Sequence, residues 1–345
     1  MIRILTDSAA DLTHADAQRP GVSVVPLHVL FADGETILDG VDMTGDEYYA
    51  RLTTEAKLPR TSQPSPDTFI QIFEEAAAAG DEVLAVLISS NLSGTYQCAR
   101  LAAETCEFEN VRFVDSRTAS QGEGILIREA LRLRDEGKTL DEIADALEEL
   151  KGRIRILGIV DSLKHLHKGG RLPAAVALVG GALGIKPVLS VIDGEIKLAD
   201  TARGRPGAMV ALFKQIDKLG GVDERYGYVL LYSDQKTITA PIHRYMHENL
   251  HLTGGRVARL GAAIGTHIGP GLCCAGLCGQ GPRYPGLNLI CKTKRRPGRD
   301  GVFSLAGSVQ CRNPLCSSSI FLCSSSSNTV LSTGRRTLRS IQAET

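Results

Sequence analysis

The run Val83-Leu84-Ala85-Val86-Leu87-Ile88 is apolar at every position and leads directly into Ser89-Ser90-Asn91-Leu92-Ser93-Gly94-Thr95. A strand that is apolar on both pleat faces belongs in a parallel sheet covered by helices on either side, which places the chain among α/β folds. The flanking pattern agrees. Residues 2–6 form a second buried strand ending in Asp7-Ser8, a turn and N-cap pair, and a helix over about 95–105 leads to a strand over 111–114. Helices over 124–134 and 140–150 complete a βαβ succession.

A small β element interrupts this unit. Residues 22–31 read as one strand that enters a hairpin turn at Asp33-Gly34 and returns over 35–38, giving an insertion at about 28–45. Thr61-Ser62-Gln63-Pro64-Ser65-Pro66 is held extended by its prolines, and Asp67 is expected to cap a helix burying Phe69, Ile70 and Phe73. Gly152 marks a change of character. The expectation is two domains: an N-terminal parallel-sheet domain over 1–151 and a C-terminal α/β domain over 152–271. The latter has antiparallel pairing, signalled by strands 187–192 and 195–199 around Asp193-Gly194.

The last 74 residues differ in kind. Of nine cysteines only Cys98 and Cys106 precede Leu272, while Cys273, Cys274, Cys278, Cys291, Cys311, Cys316 and Cys323 follow it. From Leu272 onward there are ten Lys and Arg against two acidic residues, which leaves a mildly acidic body. The body has no basic stripe interleaved with aromatics, which argues against nucleic acid as a partner. The tail cysteines lack paired CxxC spacing, so no metal site is expected. The 272–345 tail reads as poorly ordered and foreign to the body, as after a reading-frame change. Losing a terminal strand there would leave an unpaired sheet edge beside His267. With no run of about 18 apolar residues and no signal-like N-terminus, a cytoplasmic protein is expected.

Candidate chemistry lies where strands end. The 89–95 loop opens a helix with hydroxyls and unpaired N–H groups, a setting that favours an anion, and Thr61 and Asp115-Ser116 occupy comparable loop positions. Gly265-Thr266-His267-Ile268-Gly269 places a histidine among glycines that allow close approach to a ligand. Lys168-Gly169-Gly170-Arg171 and Ala202-Arg203 set cations beside glycines, suited to carboxylate or phosphate. His165 and His167 read as incidental surface polarity. Ser93 with His267 and Asp115 would make a nucleophilic triad for a lipid-ester hydrolase, although no GxSxG elbow surrounds Ser93.

Taken in order, Asp7-Ser8 with Asp11-Leu12, Thr61-Ser62-Gln63-Pro64-Ser65, Leu92-Ser93-Gly94-Thr95-Tyr96, Val114-Asp115-Ser116, Lys168-Gly169-Gly170-Arg171-Leu172, Ile185-Lys186-Pro187 and His267-Ile268-Gly269-Pro270-Gly271 resemble the DegV family of bacterial fatty acid-binding proteins. The resemblance covers about four-fifths of the chain, through Gly271. It implies a long-chain fatty acid held between two α/β domains, with no metal and no other cofactor. The carboxylate would lie at Thr61, Ser93, Gly94, Thr266 and His267, with Arg171 and Arg203 as contacts for the carboxylate or a partner. The implied partner is a fatty acid kinase that phosphorylates the presented carboxylate, with transient contact at a membrane surface. The chain itself would be no enzyme, and it has no GxxxxGK[ST] loop.

Overall fold

The computed structural model describes residues 1–172 and 184–280, together with backbone strands within 290–337. It divides into two compact units, Met1–Gly281 and Pro282–Thr345.

The first unit is built on two large sheets. Strands β1 (Ile2–Asp7), β2 (Val22–Val25), β6 (Glu82–Leu87) and β7 (Val111–Asp115) form a parallel sheet in the order β2-β1-β6-β7. Alternate residues of β6 explain its unbroken apolarity. Val83, Ala85 and Leu87 pack with Phe69, Phe73, Cys98 and Ala99 of the helices Pro66–Ala79 and Thr95–Thr105. Leu84 and Val86 pack with Ile127, Leu131 and Leu147 of the helices Gln121–Asp135 and Leu140–Lys151 on the opposite face. Asp67 lies in the first turn of its helix rather than capping it, because Ser65 takes the N-cap position ahead of Pro66.

The expected strand over 22–31 is two strands, since Pro26 has no N–H with which to continue the ladder. Its second part, β3 (His28–Leu30), pairs with both β4 (Thr36–Leu38) and β5 (Arg60–Ser62) in a three-stranded sheet, with Val29 opposite Thr61. Thr61 is thus held on a strand.

Beyond the helix Leu140–Lys151 the second sheet begins. Its strands are β8 (Ile154–Ile159), β9 (Ile185–Ile192), β10 (Glu195–Arg203), β11 (Tyr228–Tyr232), β12 (Gly255–Arg259) and β13 (Cys273–Cys278), in the order β10-β9-β8-β13-β11-β12. All pairings are antiparallel except β11 with β12. The β9–β10 turn has Asp193 and Gly194 at φ 54° and 83°, the left-handed pair a two-residue hairpin requires. One face of this sheet is covered by Leu212 and Ile216 of the helix Gly204–Asp217 and by Ile242 and Met246 of the helix Ala240–Glu248.

Strand β13 overturns the expected end of the domain at Gly271. Its six residues are all buried, and it lies between β8 and β11, pairing Cys274 with Gly158 on one side and Leu231 on the other. Free cysteine behaves as a small hydrophobe, so Cys273-Cys274-Ala275-Gly276-Leu277-Cys278 suits a strand covered on both faces. The terminal strand expected to be missing is therefore present, and both β8 and β11 are paired by it. In the second unit, β14 (Ile290–Arg295), β15 (Leu305–Gln310), β16 (Ile320–Ser325), β17 (Asn328–Thr333) and β18 (Arg336–Thr337) pair successively and antiparallel. The rest of the expected poorly ordered tail lies outside the described residues.

Among the described residues, no helix is long and apolar enough to cross a membrane, and no His, Cys, Asp and Glu group could hold a metal.

Candidate functional site

A cavity, open at its mouth, lies between the second sheet and the ends of the first-sheet strands. Its walls are mostly aliphatic, including Leu27, Ile88, Val160, Leu189, Leu231 and Ile264. It meets a wider polar cleft flanked by Lys57, Arg60, His165 and Lys168. Thr61, Arg171 and His267 line both spaces. An apolar interior therefore opens through a polar and cationic mouth.

Each mouth residue arrives from a different element. Thr61 sits on β5, Ser93 on the loop after β6, and His267 in the last turn of the short helix Ala262–Ile268. The Thr61 hydroxyl and His267 Nε2 are 2.7 Å apart. Burial, and secondarily the positive Arg171, push the His267 pKa down to about 4, so the ring is neutral at pH 7. Its Nδ1 is buried and has no hydrogen-bond partner among the described residues. An unpaired lone pair is tolerated better than an orphaned N–H, which favours the tautomer with the proton on Nε2. In that state Nε2–H donates to Thr61, whose own proton is free for a ligand.

Ser93 Oγ lies 2.8 Å from Thr95 Oγ1 and accepts the Thr95 N–H at 3.3 Å. Arg171 donates from Nε to Leu92 O at 3.1 Å and from Nη1 to Gly169 O at 2.7 Å, which leaves Nη2 unengaged among the described residues. No acidic side chain pairs with Arg171 there. A guanidinium without a counter-ion, set beside two hydroxyls, is a receptor for an anionic head group.

Other expected residues lie elsewhere. Thr266 is buried, donates to Ala262 O and meets Tyr48 OH at 2.7 Å; it borders only the wider cleft. Gly94 lines neither space; a Cβ there would lie 2.0 Å from Gln63 Oε1, so its part is to let the Thr61 and Ser93 segments approach. Arg203 is exposed at the end of β10 and lines neither space. His165, read as incidental, borders the cleft. The imagined triad is not assembled: Ser93 bonds to Thr95, His267 to Thr61, and Asp115 accepts from Ser90.

Gly169 shows how closely the imidazole is fitted. A Cβ there would stand 2.2 Å from His267 Nδ1, although φ of −76° would suit any residue. Gly169→Ala is expected to displace the ring toward water and raise its NMR titration midpoint from about 4 toward the ordinary 6.5. An unmoved midpoint would contradict this packing.

Behind the mouth lies a group of acids that patterning did not single out as functional. The Gly261 N–H donates to Asp11 Oδ1 and the Ala262 N–H to Asp39 Oδ1, both at 2.7 Å, so two aspartate side chains from the first half hold the start of the His267 helix. Asp39 also accepts from Ser8, Asp11 from Ser120, and Asp7 from the Ile88 and Ala9 N–H groups. The available signal was the Asp7-Ser8 and Asp11 cluster at the end of β1, next to the end of β6. Burial raises Asp7 to about 7, while burial and the neighbouring Asp39 raise Asp11 to about 8.

A raised carboxyl stabilises the folded state while it is protonated. Its contribution is full below the unfolded value near 4 and is lost as pH rises through 7 and 8. His267 acts in the opposite sense, but only below about pH 6.5. The urea midpoint should therefore fall between about pH 6.5 and 8.5, and Asp11→Asn should flatten that slope. A midpoint rising over this window would contradict the assignment.

The chain matches the DegV family of uncharacterised proteins over residues 1–279. It is 35% identical over 270 residues to a DegV domain-containing protein of Caldanaerobacter subterraneus, covering 78% of this chain and 95% of that one. A Deinococcus radiodurans relative is 34% identical, with 78% and 95% covered. Among solved structures, a Thermus thermophilus DegV family protein described for its fatty acid binding superposes with a TM-score of 0.74 at 34% identity, over 81% of this chain and 99% of that one. A stearic acid-binding protein of Eubacterium ventriosum gives 0.73 at 26%, with the same coverage. The match extends across β13 and takes in every strand of both large sheets, so the chain belongs to the DegV family.

Proposed function

We propose that the protein binds a long-chain fatty acid, with its tail in the apolar cavity and its carboxylate at Arg171, Thr61 and Ser93, and carries it chemically unchanged. One observation bears most of the weight: Thr61, Arg171 and His267 join an aliphatic cavity to a cationic cleft, the polarity of an amphiphile with an anionic head. Each methylene buried contributes about 0.8 kcal/mol, and the carboxylate must find hydrogen bonds to leave water. The fatty acid binding for which these solved relatives are described supports the same reading.

Arg171 makes the head-group site more cationic than hydroxyls and imidazole alone. With Nε and Nη1 already engaged, it offers one side of its fork rather than a bidentate clamp, which leaves one carboxylate oxygen open toward the cleft. That oxygen would be the one presented to a fatty acid kinase, the partner the family resemblance implies. A hydrolytic reading is weaker because, among the described residues, no base touches Ser93.

Native mass spectrometry with a long-chain fatty acid and its methyl ester tests the proposal. The acid should be retained intact and the uncharged ester should bind at least about tenfold more weakly. Equal retention would refute the head-group assignment, and Ser93-dependent ester cleavage would refute the carrier role.

A further inference from the structure

We infer that Ile156, Val191 and Ile196 form a ridge that stops the acyl chain and sets its preferred length; this rests on the ligand being a fatty acid. Strand register places Ile156 opposite Val191, and Val191 opposite Ile196, so three branched side chains stand in one row across β8, β9 and β10. All three line the cavity. Two residues nearer the mouth the next row carries Leu189 and Leu231 and is low only between them. Gly158 lies opposite Leu189 and Cys274, and Cys274 also lines the cavity.

The well before the ridge is maintained by crowding. A Cβ on Gly158 would lie 2.3 Å from the Cys274 Cβ, so no side chain fits between these strands without moving one of them. From Val160, near the His267 end, to Ile156 is four residues of strand, about 13 Å. An acyl chain laid from the mouth therefore crosses the Gly158 and Cys274 floor before meeting branched methyl groups.

The ridge is anchored from behind. Ser89 Oγ donates to Gly194 O at 2.9 Å in a buried bond, tying the β9–β10 turn to the loop that carries Ser93. The far wall is thereby held against the head-group loop. Length selection follows, since added methylenes must displace side chains of a turn fixed to the opposite half.

Val191 and Ile196 are half-buried, so changing them spares the core. The test offers the protein an equimolar ladder of saturated fatty acids of increasing length and reads the bound distribution by native mass spectrometry, with a melting curve for each variant. Ile196→Ala and Val191→Ala should each move the preferred length upward by about two carbons, and Ile196→Phe should move it downward. Should the phenylalanine variant not fold, the two alanine variants still decide. Fatty acids bound with the same length distribution in wild type and alanine variants overturn the ridge and leave the carrier reading standing. No fatty acid bound by wild type at any length overturns both.

Discussion

A chain ending at Gly271 will not fold, whereas a chain ending at Gly281 will. The shorter one lacks β13, which pairs with β8 along one edge and β11 along the other, so both ladders are lost together. Cys273 and Cys274 are 0% and 2% exposed, and Ala275, Leu277 and Cys278 are fully buried, contributing to three core clusters. A folded domain is stable by only about 5–15 kcal/mol, less than the removal of a central strand with its hydrogen bonds and apolar contacts would cost. Far-UV circular dichroism and thermal melting decide the matter. A cooperative melt from the chain ending at Gly271 would show that β8 and β11 can close without β13.

Arg171→Glu should abolish fatty acid retention, lowering affinity about 100-fold or more, because an anion then faces the carboxylate where a cation stood. Arg171→Lys keeps the charge but loses the fork that engages Leu92 O and Gly169 O, and about tenfold weakening is expected. Both are read by titration with a long-chain fatty acid. The glutamate variant carries a second readout: removing the positive neighbour should raise the His267 titration midpoint, although burial remains the larger influence. Retained affinity in Arg171→Glu would place the head group elsewhere.

The parallel sheet was legible because β6 is apolar on both faces, a pattern with few other homes. Thr61, Ser93 and His267, which line one cavity, were singled out by the ordered motifs around them. Strand β13 was obscured because its cysteines were weighed with those of the tail, although a short run of cysteine, alanine, glycine and leucine packs like any apolar strand. Thr266 and His267 are adjacent in sequence, yet helical geometry sends one hydroxyl to Tyr48 and the other side chain to Thr61, a separation visible only once the packing partners are known. The Gly158 and Cys274 floor depends on β8 lying beside β13 across more than a hundred intervening residues, a pairing that local patterning does not encode.

The bonds from Asp11 and Asp39 to the Gly261 and Ala262 N–H groups bear on how such a protein can be recombined. A chimera that takes its first half from one relative and its second from another inherits a histidine whose bearing is set by the donor of the carboxylates. Swaps made between the two large sheets, after the helix Leu140–Lys151, would carry the imidazole in one segment and its alignment in the other, so segments exchanged between relatives must be matched across that contact.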